Sequence, residues 1–331
     1  MIIKIDSKSG IPLLGSIYFG IIDRGTNLLQ VRASTLCNLN CIFCSVSAGP
    51  QSKLRKNDYI VELSYLLDYL REVIKFKERN DIEIHLDSVG EPATYPNLIE
   101  LIKEIRKIRE VKIISMQSNG TLLNEEKIKA LSEAGLNRIN LSMNAFDNEK
   151  AKRIAGCDFY DIEHVKRVAK EIMKSNIELL IAPVYLPGIN DKDIKEIIKF
   201  GLDISTNEKK VKFGIQKYLS YKYGRKPKGI KEQSWWQFYN KSIKAWEDEF
   251  KIRLKLSAKD FNIVKCKQIP IIFEKNQIIN VEIKEDGWLL NEKLGVAENR
   301  VITLINCNEN KGKIKARIIS NKDGIYLAKS V

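Results

Sequence analysis

Three cysteines, Cys37, Cys41 and Cys44, stand within eight residues in the run Ser34-Thr-Leu-Cys-Asn-Leu-Asn-Cys-Ile-Phe-Cys-Ser45. Thiolates select soft metal centres, iron–sulfur clusters or zinc, and three of them on one loop can fold around a single centre. Three ligands complete only three corners of a [4Fe–4S] cluster. The fourth iron is then open to a small ligand, which is a catalytic arrangement rather than a closed structural one. Other readings of the triplet stay open. A zinc knuckle wants a fourth Cys or His close by, and the two histidines, His85 and His164, are far off in sequence. A disulfide framework suits small secreted domains better than a chain of 331 residues with six cysteines. Buried cysteines packed as small apolar side chains are the third reading.

A reactive loop needs rigid elements to carry it. From about residue 28 to 216, short apolar runs alternate with longer amphipathic ones. The runs at 28–33, 82–87, 111–117, 138–143, 177–184 and 211–215 read as strands. Between them, residues 61–74, 98–108, 128–134, 165–173 and 194–202 place apolar side chains at helical spacing. Strand–helix alternation predicts an α/β fold with a parallel sheet and helices outside. A closed eight-unit barrel is not expected, because the pattern stops too early. In parallel α/β barrels function gathers at the carboxyl ends of the strands, and the cysteine triplet begins just after the first one.

Residues 233–250 read as one more amphipathic helix, with Trp235, Trp236, Phe238, Tyr239, Ile243, Trp246 and Phe250 as a stripe expected to pack into the core. After Pro270 the texture changes to period-two runs at 277–283, 301–305, 313–319 and 324–328, separated by turn residues. These predict a small antiparallel β-barrel. The expected organisation is an N-terminal extension over 1–27, an α/β domain over 28–260 and a small β domain over 270–331.

Apolar residues make up 44% of the chain, enough for a sizeable core, and no apolar run approaches the 18 residues of a membrane span. The charged, alternating start Met1-Ile-Ile-Lys-Ile-Asp-Ser-Lys is not a signal peptide, so a cytoplasmic location is expected. Lys and Arg number 56 against 42 acidic residues, a net charge of +14 that favours polyanionic partners.

The C-x3-C-x2-C spacing, with an aromatic, Phe43, before the last cysteine, resembles the radical SAM superfamily. The resemblance implies a partial (βα)6 TIM-type barrel, a [4Fe–4S] cluster held by Cys37, Cys41 and Cys44, and S-adenosylmethionine (SAM) chelated to the open iron. It also implies reductive cleavage of SAM to a 5′-deoxyadenosyl radical, with an electron donor such as ferredoxin or flavodoxin. Family members carry a Gly-Gly-Glu-Pro element after the second strand that binds the methionyl amine. Here Val89 replaces the first glycine, while Gly90, Glu91 and Pro92 match. By the same resemblance Ser118 and Asn119 after the third strand, and Ser142 and Asn144 after the fourth, would reach the ribose or the methionyl carboxylate. Pro187 and Gly188 after the fifth would lie beside the adenine.

Residues 209–231 hold nine basic side chains, no acidic one, and the interleaved Tyr218, Tyr221 and Tyr223. Basic residues neutralise phosphates and tyrosines stack on splayed bases, so Lys217, Tyr218, Lys222, Arg225 and Lys226 are expected RNA contacts. The tail over residues 311–329 resembles the last hairpin of a TRAM domain, a small RNA-binding β-barrel, which adds Lys313, Lys315 and Arg317. The expected activity is modification of RNA, tRNA above all, by methylation or another C–H functionalisation. A protein, peptide or small-molecule substrate is the alternative, and a non-enzymatic zinc or electron-transfer protein a third. Cys157, Cys266 and Cys307 are isolated and predict no second cluster.

Overall fold

The computed structural model describes residues 1–331. The chain forms two compact units that interleave along the sequence: Met1–Cys37, Ser52–Ile114 and Ile263–Val331 in the first, Asn38–Gln51 and Ser115–Asn262 in the second. Six parallel strands follow the expected runs: β1 Leu28–Arg32, β2 Ile82–Leu86, β3 Val111–Ser118, β4 Arg138–Leu141, β5 Glu178–Ile181 and β6 Lys212–Phe213. In the first unit β1 pairs with β2 in parallel. The chain crosses into the second unit within β3. There β3 pairs with β4, β4 with β5 and β5 with β6, all parallel.

Helix Leu63–Lys77 illustrates why the connections are helical. Its cap Glu62 accepts from the Ser64 and Tyr65 amides, and Leu66, Leu67, Leu70, Val73 and Ile74 bury one face. The helix ends where Glu78 turns left-handed at φ 52°. Its last residue, Lys77, is buried and bonds the Asp23 carboxylate at 2.8 Å. Asp23 also accepts from the amides of Gly25 (2.9 Å) and Ile269 (2.8 Å), so the buried pair is fully hydrogen-bonded.

Residues 1–27, expected as an N-terminal extension, are part of the first unit. Gly20–Asp23 pairs antiparallel with β1, and residues 13–18 lie against a C-terminal barrel in the same unit. Five strands close that barrel: Ile278–Asp286, Glu292–Ala297, Arg300–Ile305, Gly312–Ser320 and Tyr326–Ser330. One pairing is parallel, Arg300–Ile305 with Tyr326–Ser330; the rest are antiparallel. Glu292–Ala297 shows no alternation in sequence because both its faces are covered, as are those of Arg300–Ile305. The cover is the N-terminal segment. Val301 donates to Leu14 O at 2.8 Å and Tyr326 to Gly15 O at 3.0 Å. Gly15, at φ +107°, lies so close that a Cβ would stand 2.4 Å from Val301 O. Tyr18 stacks on the fully buried Trp288 with ring centroids 5.3 Å apart, and its hydroxyl donates to Glu292 at 3.0 Å.

Candidate active site

In the first unit β1 leads into a turn through Ser34, Thr35 and Leu36 to Cys37. This turn is bonded to the end of β2. The Glu91 amide donates to Leu36 O at 2.7 Å, the Thr94 hydroxyl to the same oxygen at 3.2 Å, and the Ser88 hydroxyl to Ser34 O. Gly90 is where the two segments touch: a Cβ there would lie 2.1 Å from Leu36 O and 2.5 Å from Thr35 O. Pro92 opens a one-turn helix, Pro92–Thr94, capped by the Glu91 carboxylate, which accepts from the Ala93 amide at 3.0 Å. Glu91 is only 2% exposed. Nearby, Arg32 holds Asp87 in a two-pronged pair at 2.7 and 3.0 Å, and Gln30 donates to the same carboxylate at 2.8 Å.

In the second unit Cys41, Phe43 and Cys44 are half-buried on an irregular loop. The loop coils on itself: the Cys44 amide donates to Cys41 O at 3.1 Å, and the Ala48 amide to Cys44 Sγ at 3.3 Å. One side is fixed by the end of helix Asn148–Ala155. Asn40 and Ile42 donate to the carbonyls of Ala155 and Ile154, each at 3.0 Å. Cys157 follows, its Sγ accepting from Asn40 Nδ2 at 3.4 Å. Burial, with the charge of Cys41 beside it, pushes the Tyr160 phenol far above its ordinary pKa. A second fixture is the turn after β3. Asn119 Nδ2 donates to Asn38 Oδ1 at 3.0 Å, and Asn38 Nδ2 to Thr121 Oγ1 at 2.8 Å. Ser118 caps the same turn by accepting from the Gly120 amide at 3.0 Å.

Ser142 and Asn144 follow β4 and are half-buried. Gln117 donates to Ser142 Oγ at 2.8 Å, and Asn144 Oδ1 accepts from the Val184 amide at 2.8 Å. Half-buried Pro187 and exposed Gly188 form a turn held by Asp191, whose carboxylate accepts from the Gly188 amide and the Tyr185 hydroxyl, each at 2.6 Å. Burial and that carboxylate raise Tyr185 to about 12. Asn190, fully buried, ties this turn to Asn144 O and Val184 O at 2.9 Å each. Its sequence signal is the Asn that closes Pro-Gly-Ile-Asn.

No three Cys, His, Asp or Glu side chains are gathered closely enough to hold a metal ion as the chain stands. The donor chemistry fits a thiolate-held cluster all the same. None of the three thiols is in a disulfide, all are half-buried, and Cys44 Sγ already accepts an N–H of the kind that supports a metal-bound sulfur. A thiol loop closes on its metal when it binds.

The family model described as Radical SAM superfamily matches residues 31–201, just over half of the chain. The chain belongs to the radical SAM superfamily. Members bind SAM and a [4Fe–4S] cluster and draw on a reductant. An uncharacterized protein of Methanocaldococcus jannaschii is 43% identical over 97% of this chain and 79% of its own length. A GTP 3′,8-cyclase of Clostridium perfringens is 26% identical over 72% of this chain and 70% of its own. Among solved structures, SuiB of Streptococcus suis bound to S-adenosylmethionine shares the fold, with a TM-score of 0.53 at 18% identity. The alignment covers 68% of this chain and about half, 47%, of SuiB.

Outside the radical SAM core motifs, the structure splits the basic stretch in two. Lys217 and Tyr218 are buried, and Lys217 pairs with Glu232 at 2.7 Å, which holds that carboxylate below its ordinary pKa. Arg225 turns inward onto the cysteine loop. Lys217 and Tyr218 offer no surface to a polymer and Arg225 is half-buried, contrary to the expectation from sequence. Tyr221 and Tyr223 are exposed, and Lys222 lies 4.9 Å from the Tyr223 ring centroid. The 233–250 helix also departs from expectation. Phe238, Ile243 and Trp246 are buried, whereas Trp235 and Trp236 are 53% and 63% exposed. Lys217 lies 5.1 Å from the Trp235 ring and Lys241 5.7 Å from that of Trp236. Lys313, Lys315 and Arg317 are exposed along one face of Gly312–Ser320, where Lys313 sits opposite Glu282.

Proposed function

We propose that this radical SAM enzyme holds its cluster through Cys37, Cys41 and Cys44, cleaves SAM reductively and modifies RNA, with tRNA the first candidate. The observation that carries the RNA reading is the set of exposed aromatic and basic side chains in the second unit: Tyr221, Lys222, Tyr223, Trp235, Trp236 and Lys241. Indole and phenol faces accept unpaired bases of any sequence, and the lysines beside them neutralise phosphates. When bound, the cluster supplies the electron that splits the sulfonium of SAM and yields a 5′-deoxyadenosyl radical. Ferredoxin or flavodoxin is the proposed reductant and the cytoplasm the proposed location; no helix is long and apolar enough to cross a membrane.

The chain's own residues bind and orient. Glu91, a buried carboxylate at the end of β2, pairs with the methionyl ammonium of SAM. Glu91→Gln keeps an oxygen to cap Pro92–Thr94 and removes the charge. Anaerobic equilibrium dialysis should find SAM binding about tenfold weaker, the value of one charged hydrogen bond. Unchanged affinity would reassign the residue to capping alone. Ser118, Asn119, Ser142 and Asn144 set the turns around the ribose and carboxylate, and Pro187 and Gly188 lie along the adenine.

A TRAM-like role for the C-terminal barrel finds support in its five-stranded closure. The exposed Lys313, Lys315 and Arg317 are its proposed phosphate contacts. The face made by Glu292–Ala297 and Arg300–Ile305 is covered by the chain's own N-terminal segment, so any RNA contact is confined to the Gly312–Ser320 side.

Bulk tRNA binding should weaken steeply between about 50 and 200 mM salt. Trp236→Ala should weaken it by about tenfold, the value of one stacked base, while leaving SAM-dependent 5′-deoxyadenosine formation without RNA unchanged. Salt-insensitive binding, or none, removes the RNA reading and leaves the cluster assignment standing. The similarity to GTP 3′,8-cyclases over 72% of the chain favours a second reading, a small nucleotide substrate. Asn140 on β4 fits it, since its buried Oδ1 has no hydrogen-bond partner. Anaerobic incubation with SAM, dithionite and either tRNA or GTP, followed by mass spectrometry of nucleosides and nucleotides, separates the two.

A further inference from the structure

We propose that Arg225 is a positioning residue for the cysteine loop, a clamp that sets the backbone on which Cys41 and Cys44 are carried. Three bonds run from this one residue to three carbonyls of the loop. Nη1 donates to Cys41 O at 3.1 Å, Nη2 to Ala48 O at 2.6 Å, and the backbone amide to Cys44 O at 2.8 Å. The flat, forked guanidinium aims donors from two nitrogens in fixed directions, whereas a lysine ammonium must reach every acceptor from a single nitrogen. The approach is close because the preceding residue is Gly224, where a Cβ would stand 2.9 Å from Ser45 O and 3.0 Å from Cys44 O.

The loop needs such a clamp. Residues 38–51 form no helix or strand, so no ladder of backbone bonds fixes them. Helix Asn148–Ala155 and the residues after it hold Asn40 and Ile42, on the N-terminal side. Between Cys41 and Ala48, the Cys44 amide bonds Cys41 O, and the amides of Ser47 and Ala48 bond Cys44 O and Sγ, each across a single turn. Arg225 joins the two ends of that stretch. Its neighbours Tyr221, Lys222 and Tyr223 are exposed, so one short segment carries both the proposed substrate surface and the grip on the cluster ligands. The inference rests on membership of the superfamily and not on RNA as the substrate.

The test uses the full-length protein. In the metal-free state, the rate at which a maleimide labels Cys44 is measured by mass spectrometry, with Cys266 as the internal reference. Arg225→Gln should raise the relative labelling of Cys44 about tenfold. Iron bound after anaerobic reconstitution should fall, and the EPR signal of the reduced centre should change shape. Arg225→Lys should give an intermediate value. Gly224→Ala, which leaves Arg225 in place and pushes its backbone off the loop, should open the loop in the same direction, so the inference is tested even if one variant misfolds by circular dichroism. Wild-type labelling and iron content in both Arg225→Gln and Gly224→Ala would overturn the inference. An Arg225→Gln protein with normal iron and labelling, but with a tRNA salt slope lowered by about one, would also overturn it and return Arg225 to the substrate surface.

Discussion

A Cys41→Ala protein is expected to purify without a four-iron centre and to form no 5′-deoxyadenosine from SAM. The middle thiol of C-x3-C-x2-C is the one neither neighbour can replace. Cys37 and Cys44 are seven positions apart, and the turn between them is built on Cys41, whose carbonyl accepts from the Cys44 amide at 3.1 Å. Alanine keeps that backbone bond and deletes only the sulfur, so the loop should retain its shape while losing an iron ligand. Losing a mere outer partner of a metal ligand costs up to about a hundredfold in metal affinity, and losing the ligand costs more. Cys157→Ala is the matched control. Its sulfur lies 3.4 Å from Asn40 Nδ2 on the same loop, yet it stands outside the triplet, and it should keep its iron. Iron analysis, the visible absorbance of the anaerobic protein and chromatography of the cleavage product read the outcome. A Cys41→Ala protein that still cleaves SAM would end the cluster assignment, and a Cys157→Ala protein that loses its iron would add a fourth thiol to it.

How far the sequence can be read depends on the range of the contact. The six parallel strands were legible because each is a run of apolar side chains bracketed by helical spacing, a local signal. The thiol triplet stands out in the sequence because its three cysteines lie within eight residues. Glu292–Ala297 was not, because a strand covered on both faces shows no alternation, and its cover comes from residues 13–18, nearly the whole chain away. The inward turn of Arg225 was hidden for the same reason, since its partner Cys41 is 184 positions earlier. Charge counting assigned it to a phosphate, whereas its fork is spent on carbonyls.

The aromatic helix failed differently. Seven large side chains in 235–250 read as one stripe, but they are too many for one face. The π-helical turn Phe238–Ile243 then shifts the phase. In a π turn residues five apart share a face, which brings Phe238 and Ile243 together with Trp246 against the core. Trp235 and Trp236 are left outside: Trp235 stacks on Tyr239 and meets Phe238 edge-on with Lys217 over its ring, and Lys241 lies over the ring of Trp236. Exposed tryptophan on a monomer surface points to a contact, so the position where the periodicity argument broke is also where a substrate surface is proposed.

Gly90→Ala should cut SAM cleavage by about a hundredfold. Gly90 is not a glycine kept for a left-handed turn; it is kept because another backbone occupies the space. A Cβ would lie 2.1 Å from Leu36 O and 2.5 Å from both Leu36 C and Thr35 O, and all of these are main-chain atoms that cannot rotate away. One of the two segments must retreat by about 1 Å. The displaced segment on one side carries Leu36 directly into Cys37; on the other it carries Glu91, whose amide donates to that same Leu36 oxygen at 2.7 Å. A ligand thiol and the proposed partner of the SAM ammonium would therefore move apart together, and a misplacement of that size in a reacting assembly costs about a hundredfold. Gly229→Ala is the comparison that isolates the cause. Gly229 has φ +81° but nothing within 4 Å of an added Cβ, so it carries only the left-handed strain of about 1 kcal/mol and should retain most of the activity. Rates of 5′-deoxyadenosine formation for the two variants, normalised to bound iron, decide it: equal losses would mean that conformational strain and not the Leu36 contact is what Gly90 relieves.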